Sequence, residues 1–514
     1  MSSVIGVEKV QPAAGGDAAS EHFRTDHLLR NIDKHAISAG FVTSTAQVIK
    51  FVLNFGAAAV LARLLSPKEF GLVGMVLGVT SILRIFKELG LSTATVQRQE
   101  ITQQQVSNLF WTNVGVSGAL TLVTAAAAPL AAWFYRDPRV TGIMLALSLT
   151  FVLTGSTVQH QALLTRQMRF LALSVIDLAS MLLGFVTAVW MAWSGYSYWA
   201  LVGQQLALAA TNLGMTWIAS RWRPGLPRRN SGVRPMLKFG AHLTLADLVG
   251  RVSVNCDSVI IGRFFGAFAL GLYGRASVLL TRPLEQLLDP ISVVLIPVLS
   301  RLQNDNERYR RSFLHAYDTL ALITFPFAAM CLALANPIVL VVLGPKWTGV
   351  IPLFGAFTAV AITLPLSIVT AWLFSSQARG KDQLHSYTWA GAVTVAAYFA
   401  GLHWGLMGVI ISLAITSFAI RMPILYYLAG RSGPVSASDL WSAFFAHLPC
   451  WAAVYVSTAL ARMLVIHHGP IVQVLVAAPL GAAAGVPLFM IFRRPRQSTL
   501  YTWNAVVRKW MAAA

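Results

Sequence analysis

The chain alternates long apolar stretches with short polar ones, fourteen times between residues 39 and 492. The apolar stretches are residues 39–63, 70–91, 107–133, 140–163, 171–194, 198–219, 239–262, 268–298, 313–343, 350–376, 385–403, 407–429, 443–463 and 470–492. A helix crosses the hydrocarbon core of a bilayer with about 20 mostly apolar residues, so each stretch is long enough to span it. The pattern predicts an all-α polytopic membrane protein with about 14 transmembrane helices, called TM1 to TM14 in chain order.

Positive charges between these stretches fall mainly on one side of the predicted membrane. If the N-terminus lies inside, inner tails and loops carry 26 Lys and Arg residues, Arg421 among them, and outer loops and helix ends carry seven. Cytoplasmic loops of membrane proteins are enriched in Lys and Arg. This distribution predicts that both termini are cytoplasmic and supports an even number of spans.

The chain also resembles itself at a shift of 200 residues. The identical pairs are Gly40 and Gly240, Ala46 and Ala246, Arg63 and Arg263, Gly71 and Gly271, Leu72 and Leu272, and Gly74 and Gly274. Since six predicted helices separate the two copies, both have the same orientation, as in transporters built from parallel repeats. The repeat predicts two six-helix lobes, and Arg63 and Arg263 are predicted to anchor equivalent outer helix ends.

The predicted organisation of the chain has six parts. They are a cytoplasmic tail at 1–38, an N-lobe at 39–220 with TM1 to TM6, a basic cytoplasmic linker at 221–238, a C-lobe at 239–430 with TM7 to TM12, accessory helices TM13 and TM14 at 431–492, and a basic cytoplasmic tail at 493–514.

Composition narrows the class of protein further. Hydrophobic residues make up 56% of the 514 residues and charged residues only 11%, whereas soluble proteins average about 25% charged residues. The net charge of +20 is therefore interpreted as cationic loops that contact anionic lipids, not as a nucleic-acid surface. Three cysteines and eleven histidines show no metal-ligand spacing, so neither a metal nor another cofactor is predicted.

The charged residues within TM8 are predicted to line a cavity. Arg275, Arg282 and Asp289 recur every seven residues, and Glu285 follows Arg282 by three, which places all four on one helical face. They extend over about 21 Å of helix, most of the hydrocarbon thickness. Charges at such depth are costly unless they face water or a partner, so the stripe predicts the wall of a water-filled cavity. Prolines in the same helix are expected to bend it.

Other intramembrane charges extend this candidate site, for which no catalytic residue is predicted. Six cations are candidates for binding a phosphate-bearing substrate: Lys50, Arg84, Lys87, Arg251, Arg275 and Arg282. Five acidic residues are candidates for ion coupling or charge pairing: Glu88, Asp247, Asp257, Glu285 and Asp289. The i, i+4 pairs Arg84–Glu88 and Asp247–Arg251 fit equally well with a purely structural role in helix packing.

Several segments together resemble one transporter family. They are LARLLSPKEFGLVGM (61–75), LGLSTATVQRQEITQQQVSNLFWTN (89–113), LLTRQMRF (163–170), NCDSVIIGRFFGAFALGLYGRA (255–276) and PLEQLLDPISVVLIPVLSRLQND (283–305). They resemble the lipopolysaccharide and exopolysaccharide exporters of the Wzx type, in the colanic-acid-exporter branch of the polysaccharide transporter family of the MOP superfamily.

This resemblance implies two lobes around a central cavity and a flippase for an undecaprenyl-diphosphate-linked oligosaccharide. It also implies the inner membrane of a Gram-negative bacterium. Membrane potential or an ion gradient is expected to drive transport, with Asp257, Glu285 or Asp289 as the carrier of a proton or sodium ion. The polysaccharide polymerase or export machinery is a further expected partner. Only Asp257, Arg263 and Arg275 lie in matching segments and are carried over as candidate residues.

Two other classes of protein remain as alternatives. A MATE-type multidrug or toxin antiporter would share the architecture, but its drug site would favour aromatic and acidic residues over cations. A glycan ligase or polymerase would need catalytic residues on a sizeable outer loop, and the predicted outer loops are all short.

Overall fold

A computed structural model describes residues 32–84, 91–98, 101–228, 234–489 and 496, and their regular structure is helical. The first half contains α1 (Ile32–Leu64), α2 (Pro67–Leu83), α3 (Leu91–Gln97), α4 (Gln103–Tyr135), α5 (Arg139–Gly155), α6 (Val158–Arg166), α7 (Phe170–Trp193) and α8 (Trp199–Ser220). The second half contains α9 (Arg234–Arg301), α10 (Asn306–Ala333), α11 (Ala335–Val342), α12 (Val350–Ser376), α13 (Gly380–Gly401), α14 (Gly405–Thr416), α15 (Met422–Gly430), α16 (Ala437–Leu464) and α17 (Pro470–Phe489).

Over the residues that the structure describes, each of the fourteen predicted spans coincides with helix, which confirms the all-α membrane fold. TM4 and TM9 are each divided into two helices, and a π-helical turn at Ser417–Arg421 joins α14 to α15 within TM12. Over the described ranges, nine helical stretches meet both the length and the hydropathy expected of a membrane span, and shorter apolar helices accompany them.

TM7 and TM8 form the single long element α9, in which Gly266 has non-helical dihedrals, with φ +79° and ψ −179°. This conformation is open to glycine because it carries no Cβ. Gly266 stands 200 residues after Ser66, which caps α2 between the two helices of the first repeat. Beyond Gly266 the helix continues to Arg301 through three prolines with helical dihedrals.

The two halves of the chain meet where α2 crosses the second part of α9. A Cβ built on Gly71 would lie closer than 3.0 Å to the carbonyl of Ala267, and one built on Gly271 equally close to the carbonyl of Pro67. Residues 71 and 271, and 67 and 267, are equivalent in the 200-residue repeat, so the contact is reciprocal. The backbones therefore approach as closely as only glycine allows.

This crossing lies near the predicted outer end of the molecule, defined as the end at which α1 finishes and α2 begins. The indole of Trp347, which is fully buried, donates to the carbonyl of Ala62 at 2.7 Å. Arg63 donates to the carbonyl of Val341 at 2.7 Å, and Lys346 donates back to the carbonyl of Arg63 at 3.3 Å. These bonds join the end of α1 to the end of α11 and to the segment that follows it, and close the predicted outer end.

The segment that follows α8 lies along the start of α4. Asn108 donates to the carbonyl of Arg228 at 2.6 Å and accepts from its amide at 3.0 Å. The indole of Trp111 and the hydroxyl of Ser107 bond the carbonyl and the amide of Gly225, each at 2.9 Å. The first part of the predicted linker is thus held against the N-lobe, and α9 begins at Arg234, inside the predicted linker range.

Candidate functional site

A cavity of about 360 Å³ lies between the two lobes. Its walls come from α1, α2, α8, α9 and α11, so both halves of the chain contribute. The lining combines apolar side chains with Asn54, Gln204, Gln286, Arg275 and Arg282. Cavities of this volume hold ligands of about drug size, which corresponds to a diphosphate with an adjoining sugar.

Arg275 is the most firmly positioned cation of this cavity. Its guanidinium lies 3.9 Å from the ring centroid of Phe70 in α2, on the opposite lobe. Phe70 in turn packs edge-on against Trp347, with ring centroids 5.4 Å apart. A desolvated cation–π contact contributes about 2 kcal/mol. Arg275 is therefore held by the same residues that close the predicted outer end.

Arg282 lies two turns further along the same helix and also lines the cavity. It forms an ion pair with Glu285 at 3.1 Å, and both side chains are substantially exposed, at 66% and 44%. The predicted face that joins Arg275, Arg282 and Glu285 is thus present. The side chain of Asp289 lies outside the described residues.

Lys50, for which the sequence offered no certain partner, forms an ion pair with Asp177 of α7 at 2.5 Å. Asn54, one turn along α1, lines the cavity. The sequence signal for this partner was a single carboxylate in the apolar stretch 171–194. Lys50 and Asp177 both belong to the N-lobe.

The remaining candidates fall into three groups. Arg84 follows the end of α2 and is exposed, but it does not line the cavity. Lys87 and Glu88 lie outside the described residues, as do the side chains of Asp247 and Arg251. The proposed pairs Arg84–Glu88 and Asp247–Arg251 therefore stay predictions.

Asp257 lies within the C-lobe rather than in the cavity wall. It accepts from the amide of Ser258 at 2.5 Å and from its hydroxyl at 3.1 Å. The buried hydroxyl of Tyr273 also bonds to it and contacts Tyr398 in turn. The carboxylate is thus embedded in a polar network.

Arg421 was predicted on an inner loop, and this prediction is wrong. The helix continues past it to Gly430, and its guanidinium donates to the hydroxyl of Ser367 in α12 at 2.8 Å. Its place inside the apolar stretch 407–429 was the available sequence signal. The π-helical turn that ends at Arg421 is a feature found frequently at functional sites.

The two repeat arginines occupy different environments. Arg63 bonds a backbone carbonyl of the C-lobe, whereas the guanidinium of Arg263 lies 5.6 Å from the ring of Phe134 and 5.9 Å from that of Phe264. Both are at the predicted outer end. Close by, side-chain hydrogen bonds from Arg139 hold the pKa of Asp137 below its usual range.

Among the described residues, no three His, Cys, Asp or Glu side chains converge in a way that could hold a metal ion. The chemistry available in the cavity is that of two arginines and several amides, which suits a multiply charged oxyanion.

The fold is one that solved membrane transporters share. The structure matches a lipid II flippase MurJ in an inward closed conformation, with a TM-score of 0.69 and 14% identity over 89% of this chain and 99% of that one. It also matches an inward-facing multidrug resistance MATE family transporter of the MOP superfamily, with a TM-score of 0.57 and 14% identity over 80% and 98%.

The chain belongs to the polysaccharide biosynthesis protein family, whose model matches residues 60–352. It is 24% identical to the lipopolysaccharide biosynthesis protein WzxC of Escherichia coli over 83% of this chain and 88% of that protein. It is 25% identical to the succinoglycan biosynthesis transport protein ExoT of Rhizobium meliloti over 86% and 90%. The protein is thus a multi-pass membrane protein of this family, and its apolar helices agree with the prediction of several spans.

Proposed function

We propose that the protein translocates an undecaprenyl-diphosphate-linked oligosaccharide from the cytoplasmic to the periplasmic leaflet by alternating access. The observation that carries this proposal is the cavity between the lobes, where Arg275 and Arg282 present two guanidinium groups. Guanidinium groups bind phosphate oxygens in a bidentate manner, so this pair suits a diphosphate. The names of the family and of its relatives support a role in building polysaccharides.

In this mechanism the closed outer end defines the state that receives substrate from the cytoplasmic side. The diphosphate and the first sugar occupy the cavity, whose size suits them, while the polyprenyl tail stays in the lipid. The cations attract the diphosphate, and the lobes then rock about the cavity.

Release requires the site to lose affinity when the outer end opens. Phe70 belongs to the N-lobe and Arg275 to the C-lobe, and Phe70 packs against Trp347 of the outer closure. Opening that end separates Phe70 from Arg275, so the guanidinium is no longer held at the cavity.

The orientation, lobe boundaries and coupling belong to the same proposal. The termini are cytoplasmic, and residues 39–220 and 239–430 move as the two lobes. A proton or sodium ion drives the cycle, and Asp257 is the candidate carrier because it is enclosed by hydroxyl groups within the moving C-lobe. The polymerase or export machinery takes up the product.

The test compares cells with and without the gene, using a membrane-impermeant glycan label on inverted and right-side-out vesicles. We expect loss of the gene to leave intact undecaprenyl-diphosphate glycan on the cytoplasmic face and to abolish surface polysaccharide. Normal sidedness with normal polysaccharide, in a strain with no second flippase, would contradict the proposal. New glycan linkages formed by the purified protein would instead indicate a ligase or polymerase.

A MATE-type antiporter is the alternative that shares the fold. If the protein is a flippase, replacing both cavity arginines with glutamine should abolish glycan export. If it is an antiporter, the strain should show organic-cation efflux that the same replacement leaves unchanged. Efflux measured in the same strain distinguishes the two functions.

A further inference from the structure

The ion pair between Lys50 and Asp177 connects two helices of the N-lobe at the level of the cavity. The Nζ of Lys50 donates to a carboxylate oxygen of Asp177 at 2.5 Å. Lys50 lies fourteen residues before the end of α1 and Asp177 sixteen before the end of α7, so both are about 20 to 25 Å from the predicted outer end. Since the hydrocarbon core is about 30 Å thick, the pair lies in the inner part of the membrane, with Asp177 about 10 Å from the start of α7.

The pair lies beside the cavity lining. Phe51, the residue after Lys50, and Asn54, one turn further on, both line the cavity. The pair is also partly open, since 21% of the Lys50 side chain and 41% of the Asp177 side chain are exposed. A flexible four-carbon side chain in this position can exchange one oxyanion for another without movement of its helix.

From these contacts we infer that Asp177 is a displaceable counterion that competes with the diphosphate of the substrate for Lys50. This inference rests on the proposed function. Without the carboxylate, an unpaired ammonium at this depth would be costly, and it would bind an arriving diphosphate too tightly for prompt release. With it, the lysine is paired in the empty transporter and the carboxylate reclaims it when the substrate leaves.

Because Lys50 and Asp177 are on the same lobe, rocking of the lobes does not pull them apart. The exchange is therefore independent of the Arg275–Phe70 contact, which spans the two lobes. Asp177 is a positioning residue in this scheme, since it acts on the substrate through Lys50.

The experiment measures binding of undecaprenyl diphosphate to the purified protein in lipid nanodiscs. We expect Asp177→Asn to bind it about fivefold more tightly and Lys50→Gln about fivefold more weakly, since a partly exposed pair contributes a small factor. In the Lys50→Gln background, Asp177→Asn should have no further effect on affinity. The matched control is Asp137→Asn, which removes the carboxylate partner of Arg139 in the ion pair at the predicted outer end and should leave binding unchanged.

The outcomes separate the two proposals. Wild-type protein that fails to bind undecaprenyl diphosphate overturns both this inference and the proposed function. Wild-type binding with unchanged or weaker binding by Asp177→Asn overturns the exchange alone, because Asp177 would then only support the fold.

If a variant does not fold, the exchange can be tested on the wild-type chain instead. Lysines are ¹³C-methylated and the Lys50 signal is assigned with Lys50→Arg. Addition of undecaprenyl diphosphate should shift this signal, and an unshifted signal overturns the exchange.

Discussion

Replacing Gly71 with valine is expected to abolish export by preventing closure of the predicted outer end. A Cβ on this residue would overlap the carbonyl of Ala267, which is backbone and cannot turn away. Overpacking costs about 1–3 kcal/mol. That cost reduces the closed population roughly 5- to 150-fold relative to the open one. Gly271→Val should act in the same way, because it meets the carbonyl of Pro67 in the reciprocal contact.

The shift in conformation can be followed with a membrane-impermeant thiol reagent applied from the periplasm. The reporter is Leu343→Cys, a buried cavity position near the closed end, in a background without the three native cysteines. Labelling should rise in both valine variants. Gly274→Ala is the control, since a Cβ there meets nothing within 4 Å. Equal labelling of all variants would show that the glycine crossing does not govern closure.

Removing the guanidinium of Arg275 is the second change with a large expected effect. Arg275→Gln takes away one phosphate ligand and also the cation–π contact with Phe70. Charge-assisted hydrogen bonds contribute about 1.5–3 kcal/mol, so affinity for undecaprenyl diphosphate should fall about 10- to 150-fold. Lipid-linked glycan should then accumulate on the cytoplasmic face, as measured by the impermeant label.

Substitutions at Phe70 separate the two roles of Arg275. Phe70→Leu removes the ring but leaves the guanidinium, so binding should weaken by a smaller factor than in Arg275→Gln. Phe70→Tyr retains the ring face and should restore affinity. If Arg275→Gln transported normally while folded, the diphosphate would have to bind elsewhere in the molecule.

Apolar segment length was sufficient to predict the helices, and the repeat spacing identified the equivalent glycines, but their reciprocal contact is seen only in the structure. The partners of individual side chains could not be predicted in the same way. The heptad of TM8 places Arg275 and Arg282 on one face, and both line the cavity. No local pattern joins Lys50 to Asp177 or Arg275 to Phe70, because those pairs depend on how helices far apart in sequence come together.

Arg421 shows a second reason why side-chain partners could not be predicted from the sequence. Counting cations along the chain assumes that each belongs to the nearest loop, whereas a helix interior can hold one that finds a hydroxyl such as Ser367. Whether such a partner exists is decided by the packing of α12 against α15, which hydropathy does not encode.

The attachment of residues 221–228 to α4 limits how far the two halves of the transporter can swing apart. Among the described residues of this segment, Arg228 is the last that bonds to α4, and α9 starts at Arg234, six residues later. Six residues of fully extended chain reach about 20 Å. The connection between the two halves therefore has a fixed maximum length. This maximum length sets an upper bound on the width of the cytoplasmic opening. The glycan headgroups that can enter are therefore limited by the length of the connection as well as by the chemistry of the cavity.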